Sequence, residues 1–203
     1  MTTDDELLRH QAALQAEAEA VHADLGLDTG LGALGTPVRV GSSALGLMVR
    51  RDLDVTVVCP RLDQAVHERV AALGARLALH RRVRQVRLRN DTGAWNEDPD
   101  AYPDGLYLGL SYRSPAEGSR EGRDWTLDLW FVDDPARQPD LAHLRDLPPR
   151  LTPGARAAIL RIKHAWAQSP DYGRTVRGWD VYRAVLEDGV RTPEEFGRRR
   201  AGA

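Results

Sequence analysis

Two aspartates that alternate with apolar residues constrain the fold of this chain more than any other feature. The segment reads Asp52-Leu53-Asp54-Val55-Thr56-Val57-Val58. Successive side chains of a β-strand point to opposite faces, so Asp52 and Asp54 share one face, about 7 Å apart along the strand. The apolar side chains Leu53, Val55 and Val57 share the other face. The pattern therefore predicts a half-buried strand that carries two carboxylates.

A Gly-Ser turn precedes this strand. Residues 38–40 have the composition of a short strand, and Gly41-Ser42-Ser43 follows them. Glycine allows a backbone to approach a ligand closely, and the N–H and hydroxyl groups of such a turn can donate to phosphate oxygens. Carboxylates are ligands that hard divalent cations prefer. The two features together predict a site for a metal ion and a nucleoside triphosphate.

A third acid stands alone in a later apolar run. Residues 125–131 read Trp-Thr-Leu-Asp-Leu-Trp-Phe, with Asp128 at the centre. A buried carboxylate is costly unless it is paired or binds a metal. Residues 106–112 alternate in the same way, so the two runs predict a β-hairpin with its turn at residues 114–122. With the right register, this hairpin brings Asp128 to the face of Asp52 and Asp54.

The order of these pieces resembles the signature of the nucleotidyltransferase superfamily that includes DNA polymerase beta and the kanamycin-type and minimal nucleotidyltransferases. Val40-Gly41-Ser42, Asp52-Leu53-Asp54-Val55 and Asp128 fit its pattern, although many members have Ser where this chain has Arg51. Residues 178–196 add a similarity to bacterial nucleotidyltransferase-domain proteins of unassigned substrate. The resemblance implies an α+β fold, in which helices flank a mixed β-sheet and a C-terminal helical extension closes over the nucleotide.

The predicted organisation is a catalytic domain over residues 1–140, with an N-terminal helix at 3–24, and a C-terminal helical subdomain over 141–203. Helix starts are predicted at Thr3, Asp63, Thr152 and Thr192, where a capping side chain precedes an amphipathic run. A further helix is predicted at residues 176–188. The glycine-rich residues 26–37 are predicted to form a loop, and the Pro- and Asp-rich residues 135–151 a hinge.

The resemblance implies that Asp52, Asp54 and Asp128 are the catalytic and metal-binding residues. They would hold two Mg²⁺ or Mn²⁺ ions about 4 Å apart. An acceptor would attack the α-phosphate of a nucleoside triphosphate, with ATP as the specific expectation, and pyrophosphate would leave. The nucleoside monophosphate would pass to a hydroxyl or amine of a small molecule or protein. Gly41, Ser42 and Ser43 are then expected to bind the nucleotide.

Lys163 is a further candidate for nucleotide binding because it is the only lysine among 28 basic residues. It lies beside a helix stripe that contains Ile159, Ile162 and Trp166. An ammonium is a compact point charge that suits a phosphate contact, and the resemblance implies such a contact from this helix. The alternative is a surface lysine whose ammonium reaches solvent.

The basic run at residues 81–89 reads R-R-V-R-Q-V-R-L-R. Its interleaved apolar residues favour an exposed edge strand that is protected from pairing by its charge. The alternative is a strip that helps to hold anionic phosphates.

Composition limits the classes of function. The 203 residues, 42% of them hydrophobic, suffice for one sizeable core and a small extension. A net charge of −2 gives no global attraction to nucleic acid and favours a small acceptor over long DNA or RNA. The single cysteine, Cys59, excludes an internal disulfide and a multi-cysteine zinc site, and it is predicted to be buried and structural. Without a membrane-spanning run or a signal sequence, a cytoplasmic protein is expected, and its oligomeric state is open.

Other functions fit parts of this pattern. A DxD motif also serves glycosyltransferases, although the Gly-Ser turn and the late Asp128 fit that class less well. The same acids would occur in a nucleotide-binding antitoxin-like or regulatory partner protein without robust transfer, and they could be ordinary surface groups. No separate general base is identified, and Glu97, Asp98 and Asp124 are candidates only from their positions in or beside loops.

Overall fold

Five strands form one mixed sheet in the computed structural model, which describes residues 2–114 and 124–202. They are β1 (Thr36–Val40), β2 (Asp52–Val58), β3 (Val83–Asp91), β4 (Gly105–Arg113) and β5 (Asp124–Val132), in the order β1-β2-β5-β4-β3. Strands β2 and β5 are parallel, and the other neighbours are antiparallel. The predicted hairpin is therefore confirmed, whereas its turn, apart from Ser114, lies outside the described residues.

The described part of the chain also contains eight α-helices. They are α1 (Asp4–Asp24), α2 (Leu27–Gly32), α3 (Gly41–Leu45), α4 (Gln64–Ala78), α5 (Pro139–Asp146), α6 (Pro153–Trp166), α7 (Gly178–Leu186) and α8 (Pro193–Ala201). Short 3-10 turns lie at Gly93–Trp95, Pro135–Arg137 and Pro148–Arg150. This combination of a mixed sheet with helices, including a C-terminal group of helices, confirms the predicted α+β class. In the described ranges, no helix is both long and apolar enough to cross a bilayer.

The helix starts follow the capping predicted from the sequence. At α1, Thr3 N donates to Glu6 Oε2 at 2.7 Å, and Glu6 N donates to Thr3 Oγ1. The side chains of Asp63, Thr152 and Thr192 accept backbone N–H groups at the starts of α4, α6 and α8. These side chains satisfy N–H groups that have no partner inside the helix, which fixes where each helix begins.

Two predicted irregular segments contain helices instead. The expected loop at residues 26–37 includes α2, because Gly26 turns the chain with a φ of 59° and Leu27 and Leu31 are then fully buried one turn apart. The expected hinge at residues 135–151 includes α5. The loop prediction was wrong because it weighed glycine content, whereas the burial of Leu27 and Leu31 stabilises α2. The hinge concerns the connection between the domains, and it stays a prediction.

One face of the sheet carries the apolar core of this region. Its buried side chains include Leu53, Val55, Val57, Leu106, Leu108, Leu110, Leu127, Leu129 and Phe131. Helix α4 packs against β3 and β4 on this face. Gly74 does not interrupt α4. A Cβ atom at this position would lie only 3.0 Å from Leu108 Cδ1, so glycine allows the helix to pack closely on the sheet. The polar residues of the same strands therefore occupy the opposite face.

The chain divides into two compact units. The sheet unit comprises Ala16–Leu45 and Arg51–Arg145, and the helical unit comprises Met1–Gln15, Gly46–Arg50 and Asp146–Ala203. Each unit thus combines segments that are distant in sequence, whereas the predicted domains at 1–140 and 141–203 are continuous and remain a prediction.

Cys59 is buried at the end of β2, as its sequence context predicts. Burial, together with the nearby Asp133 carboxylate, raises the pKa of its thiol to about 11. Because the thiolate is the reactive form, this cysteine is chemically inert at neutral pH.

Candidate active site

The three predicted acids meet on the polar face, where β2 and β5 run side by side. Asp54 pairs in register with Asp128, and Asp52 pairs with Thr126. One carboxylate oxygen from each of the three aspartates lies within 4.8 Å of the other two, and all three residues are half-buried. The prediction that the hairpin brings Asp128 to the face of Asp52 and Asp54 is therefore confirmed.

This set of ligand atoms fits the expected metal ion. Asp52, Asp54 and Asp128 supply carboxylate oxygens, which are the ligands that Mg²⁺ and Mn²⁺ prefer. Three carboxylates so close together repel one another unless a cation compensates their charge. The residues present are thus suited to a hard divalent cation.

Two hydroxyl groups orient these carboxylates. Thr126 Oγ1 donates to Asp52 Oδ1 at 2.7 Å, and Tyr107 Oη donates to Asp128 Oδ1 at 2.5 Å. Burial, followed by the hydrogen bond to Asp128, raises the pKa of Tyr107 well above its ordinary value. Tyr107 therefore keeps its proton and acts as a donor. Partners of this kind hold ligand side chains in the orientation that a metal requires.

Gly109 provides the space for the Tyr107 hydroxyl. It pairs with Asp128 across the β4–β5 ladder, and a Cβ atom at this position would lie 2.3 Å from Tyr107 Oη. The Tyr107 ring also packs against Trp130, with 5.0 Å between the ring centroids. Sequence analysis missed Tyr107 and Gly109. The available signal was the glycine inside the alternating run at residues 106–112, because such a glycine often marks a close approach.

Gly41 lies against the other side of the cluster. Its φ of 63° is in the left-handed region, which favours glycine. A Cβ atom there would lie 2.2 Å from Asp54 Oδ2. Both the backbone conformation and the position of Asp54 therefore require glycine at the start of α3.

The two serines after Gly41 differ in their surroundings. Ser43 is 3% exposed, and its hydroxyl donates to the Val40 carbonyl at 3.2 Å. Ser42 is half-buried. The nucleotide-binding roles of Gly41, Ser42 and Ser43 remain predictions, and Ser42 has the more accessible side chain.

Arg51 stands where many nucleotidyltransferases have serine. Its guanidinium makes two hydrogen bonds to the Glu17 carboxylate, at 2.8 and 3.0 Å. Its carbonyl accepts the Thr126 N–H at 3.1 Å. Arg51 therefore connects the start of β2 to α1 and β5. Asp52 still pairs in register with Thr126 of β5.

The candidate general bases lie outside this cluster. Glu97 and Asp98 are exposed in the loop after β3, and neither belongs to the three-carboxylate group. Asp124 forms an ion pair with Arg113 at 2.9 Å. The hydrogen bond from Arg113 lowers the pKa of Asp124, so this carboxylate is a weak proton acceptor.

Lys163 is buried in the helical unit, with 3% exposure. Its Nζ donates to the Leu47 carbonyl at 2.6 Å and to Tyr182 Oη at 3.2 Å. The alternative of a surface lysine was therefore wrong. These contacts show that the ammonium holds the segment Gly46–Arg50 against α6 and α7, whereas a phosphate contact remains a prediction.

We expect Lys163→Met to lower the free energy of unfolding by about 1–3 kcal/mol, because the buried Leu47 carbonyl loses its donor. Lys163→Arg should also destabilise, since a planar guanidinium requires more room and a different geometry. Urea denaturation measures both effects. Arg174→Met, at an exposed position of the same unit, is the control and should change stability by less than about 0.5 kcal/mol. Equal stabilities for Lys163→Met and Arg174→Met would contradict the structural role.

Comparison with solved structures identifies the fold. The Cid1 poly(U) polymerase with Mg and 3′-dATP bound matches with a TM-score of 0.55 and 16% identity, over 85% of this chain and 48% of that chain. Cid1 with its short product ApU matches with a TM-score of 0.48 and 14% identity, over 92% of this chain and 55% of that chain. The chain thus spans about half the length of these structures.

A scan against protein-family models finds no match, and neither does a search of curated proteins. At 16% identity, the likeness to Cid1 shows the fold alone. The pattern of Gly41, Asp52, Asp54 and Asp128 had predicted the same fold from the sequence. This chain therefore shares the mixed-sheet fold of the Cid1 poly(U) polymerase.

Proposed function

We propose that this protein is a metal-dependent nucleotidyltransferase, which moves a nucleoside monophosphate from a nucleoside triphosphate to an acceptor and releases pyrophosphate. The observation that carries the proposal is the convergence of Asp52, Asp54 and Asp128 within 4.8 Å on one face of the sheet. The fold, which is that of a known nucleotidyltransferase, supports it.

Asp52, Asp54 and Asp128 would hold Mg²⁺ or Mn²⁺, which would neutralise phosphate charge and favour deprotonation of the acceptor. The contribution of the chain is to position its own groups. Thr126 and Tyr107 orient two of the carboxylates, and Gly41 leaves space for the third. Catalysis of this kind depends mainly on orientation and on charge stabilisation.

The nucleotide would contact the turn that begins at Gly41. Ser42 can donate its hydroxyl to a phosphate, whereas Ser43 would contribute its N–H, since its hydroxyl donates to Val40. ATP is the specific substrate that we propose, with transfer of AMP to a hydroxyl or amine. UTP is the second nucleotide to test, because the Cid1 poly(U) polymerase is described as selective for UTP.

Calorimetry with Mn²⁺ and ATP or UTP tests the proposal. Wild type and Asp134→Asn, a control at an exposed turn after β5, should bind nucleotide in a metal-dependent way. Asp54→Asn should lose the metal dependence and retain its fold, because the charge is removed without a change of shape. Equal, metal-independent binding by all three proteins would contradict the proposal.

A screen for pyrophosphate release then separates the enzyme from a binding protein. Wild type would be incubated with each triphosphate, Mg²⁺ and a panel of hydroxyl- and amine-bearing compounds and proteins. Release that depends on an acceptor and on Asp54 supports transfer. Metal-dependent nucleotide binding with no release across the panel would favour the antitoxin-like or regulatory alternative.

A further inference from the structure

A small hollow lies beside the acid cluster on the polar face of β3, β4 and β5. It has a volume of about 170 Å³, and its lining includes Gln85, Arg87, Tyr107, Ser111, Thr126 and Asp128. The lining also includes Gly109 and Leu110, and apart from Leu110 and the Tyr107 ring its side chains are polar or charged. Their hydroxyl and amide groups can both donate and accept hydrogen bonds, as the recognition of a polyhydroxylated compound requires.

A larger cavity, which we call the arginine cavity, lies at the same end of the sheet. It has a volume of about 390 Å³ and is lined by Arg81, Arg82, Val83, Arg84, Arg113 and Ser114. Ser111 of the small hollow and Arg113 of the arginine cavity are two residues apart on β4, so they share a face about 7 Å apart. The two cavities therefore follow each other along the same strand.

The four arginines of this cavity differ in their partners. Arg113 pairs with Asp124 at 2.9 Å, and Arg82 pairs with Asp24 at 3.2 Å. Arg81 and Arg84 are exposed, and within residues 2–114 and 124–202 neither forms an ion pair. The cavity thus has more positive charge than the described carboxylates neutralise.

Protection of an edge strand explains only part of this arrangement. Strand β3 is an edge of the sheet, as the basic run predicted. Edge protection, however, requires charge only along the strand. Here Arg81 and Arg82 come from the turn before β3 and Arg113 comes from β4, while a register shift between Val83 and Gln85 leaves Arg84 as an additional residue. Guanidinium groups gathered around one cavity form a site for an anion.

We propose that the acceptor of this enzyme is a phosphorylated hydroxyl compound, with its phosphate in the arginine cavity and its hydroxyl in the small hollow beside Asp128. The inference rests on the proposed function, because it names the acceptor of that reaction. Planar guanidinium groups bind phosphate oxygens in a bidentate manner, which favours phosphate over a simple point anion. The acceptor oxygen forms a bond to the α-phosphorus, the bond from that phosphorus to pyrophosphate breaks, and the hydroxyl proton passes to solvent.

The distance along β4 between the acid cluster and the arginine cavity limits the size of the acceptor. Gly109, which pairs with Asp128, is four residues from Arg113 on β4, or about 13 Å along the strand. The hydroxyl and the phosphate must therefore be several bonds apart. In a single nucleotide the 3′-hydroxyl and the 5′-phosphate are closer together than this backbone spacing, so the arginine side chains would have to extend back along the strand toward Ser111. A free nucleoside monophosphate and the 3′ end of a short single strand share this chemistry. The local arginine cavity can hold either, although the net charge of −2 gives no global attraction to nucleic acid.

Fluorescence anisotropy without triphosphate or metal tests the inference. The probe is hexauridylate with fluorescein at its 5′ end, and the variants are Arg84→Ala and, as control, Arg76→Ala. Arg76 is likewise exposed, but it lies on α4, which covers the opposite face. Arg84→Ala should weaken binding about tenfold, because a charge-assisted hydrogen bond is lost. It should also reduce the slope of log affinity against log salt by about 0.7, as expected for one lost phosphate contact on a single strand.

Competition by UMP, uridine and unlabelled hexauridylate identifies the source of the phosphate. Displacement by UMP indicates a small phosphorylated acceptor, and displacement by the hexamer alone indicates a strand end, whereas uridine should displace the probe in neither case. Arg84→Ala binding as tightly as Arg76→Ala, or wild type that binds neither UMP nor the hexamer, would overturn the inference. The assay contains neither triphosphate nor metal, so it reports acceptor binding alone. A failure of the proposed function would instead appear as intact acceptor binding without pyrophosphate release.

Discussion

Gly41→Ala should reduce nucleotidyl transfer about a hundredfold, since a misplacement of about 1 Å in a reacting site can cost that much. An added Cβ atom would lie 2.2 Å from Asp54 Oδ2, so the carboxylate must move. The Asp54 side chain can rotate away at little cost to folding, but it then leaves the position that Asp52 and Asp128 share with it. Pyrophosphate release and Mn²⁺ affinity measure this effect.

The matched control for this variant is Gly26→Ala. Gly26 has a φ of 59°, close to the 63° of Gly41, but an added Cβ atom there meets nothing within 4 Å. Both variants should lose about 1–2 kcal/mol of stability, because a non-glycine residue is strained in the left-handed region. Only Gly41→Ala should lose activity and metal affinity. Equal activity in the two variants would show that the position of Asp54 does not depend on Gly41.

The acid cluster could be predicted because its geometry depends on the two-residue alternation of side chains along a strand. Side chains two residues apart on a strand share a face, so the spacing of Asp52 and Asp54 was sufficient to place both. Asp128 required one more step, namely that its strand lies beside theirs. The apolar alternation around Asp128 indicated a strand with one buried face, and that burial specifies the register. The structure confirms the pairing of Asp54 with Asp128.

The groups that orient the cluster could not be predicted in the same way. Tyr107 and Gly109 act through the register between β4 and β5, which depends on atoms brought together by the fold. Lys163 is a similar case. Its position beside an apolar stripe did not reveal that it contacts the carbonyl of Leu47, which is 116 residues away in sequence. Burial that arises from distant segments is not visible in a local pattern.

The basic run at residues 81–89 shows a different limit of prediction from sequence. Its prediction as an edge strand was confirmed, since β3 ends the sheet. The alternative interpretation, a strip that binds phosphate, stays a prediction. In the structure the two are compatible, because the arginine cavity draws Arg81 and Arg82 from the turn, Arg84 from β3 and Arg113 from another strand. A linear sequence does not show which arginines gather in space.

Tyr107→Phe should lower Mn²⁺ affinity about 10- to 100-fold, as is typical when a partner of a metal ligand is removed. The hydroxyl that donates to Asp128 at 2.5 Å is lost, while the ring that packs against Trp130 remains. Gly109→Ala should have a similar effect, since its Cβ atom would lie 2.3 Å from the Tyr107 hydroxyl and displace it. Calorimetric titration of Mn²⁺ measures both variants without requiring turnover.

The double variant, Tyr107→Phe with Gly109→Ala, tests whether Gly109 affects metal binding only through Tyr107. An added Cβ atom at Gly109 would still lie 2.7 Å from Cζ and 2.9 Å from Cε1 of the ring, so the ring must shift in the double variant as well. If Gly109 acts on the cluster only through the Tyr107 hydroxyl, the shifted ring has no donor left to lose. The double variant should therefore bind Mn²⁺ as Tyr107→Phe does, and the two single effects should be strongly non-additive. Additive losses would instead show that Gly109 acts on the cluster independently of Tyr107, through the backbone that pairs with Asp128.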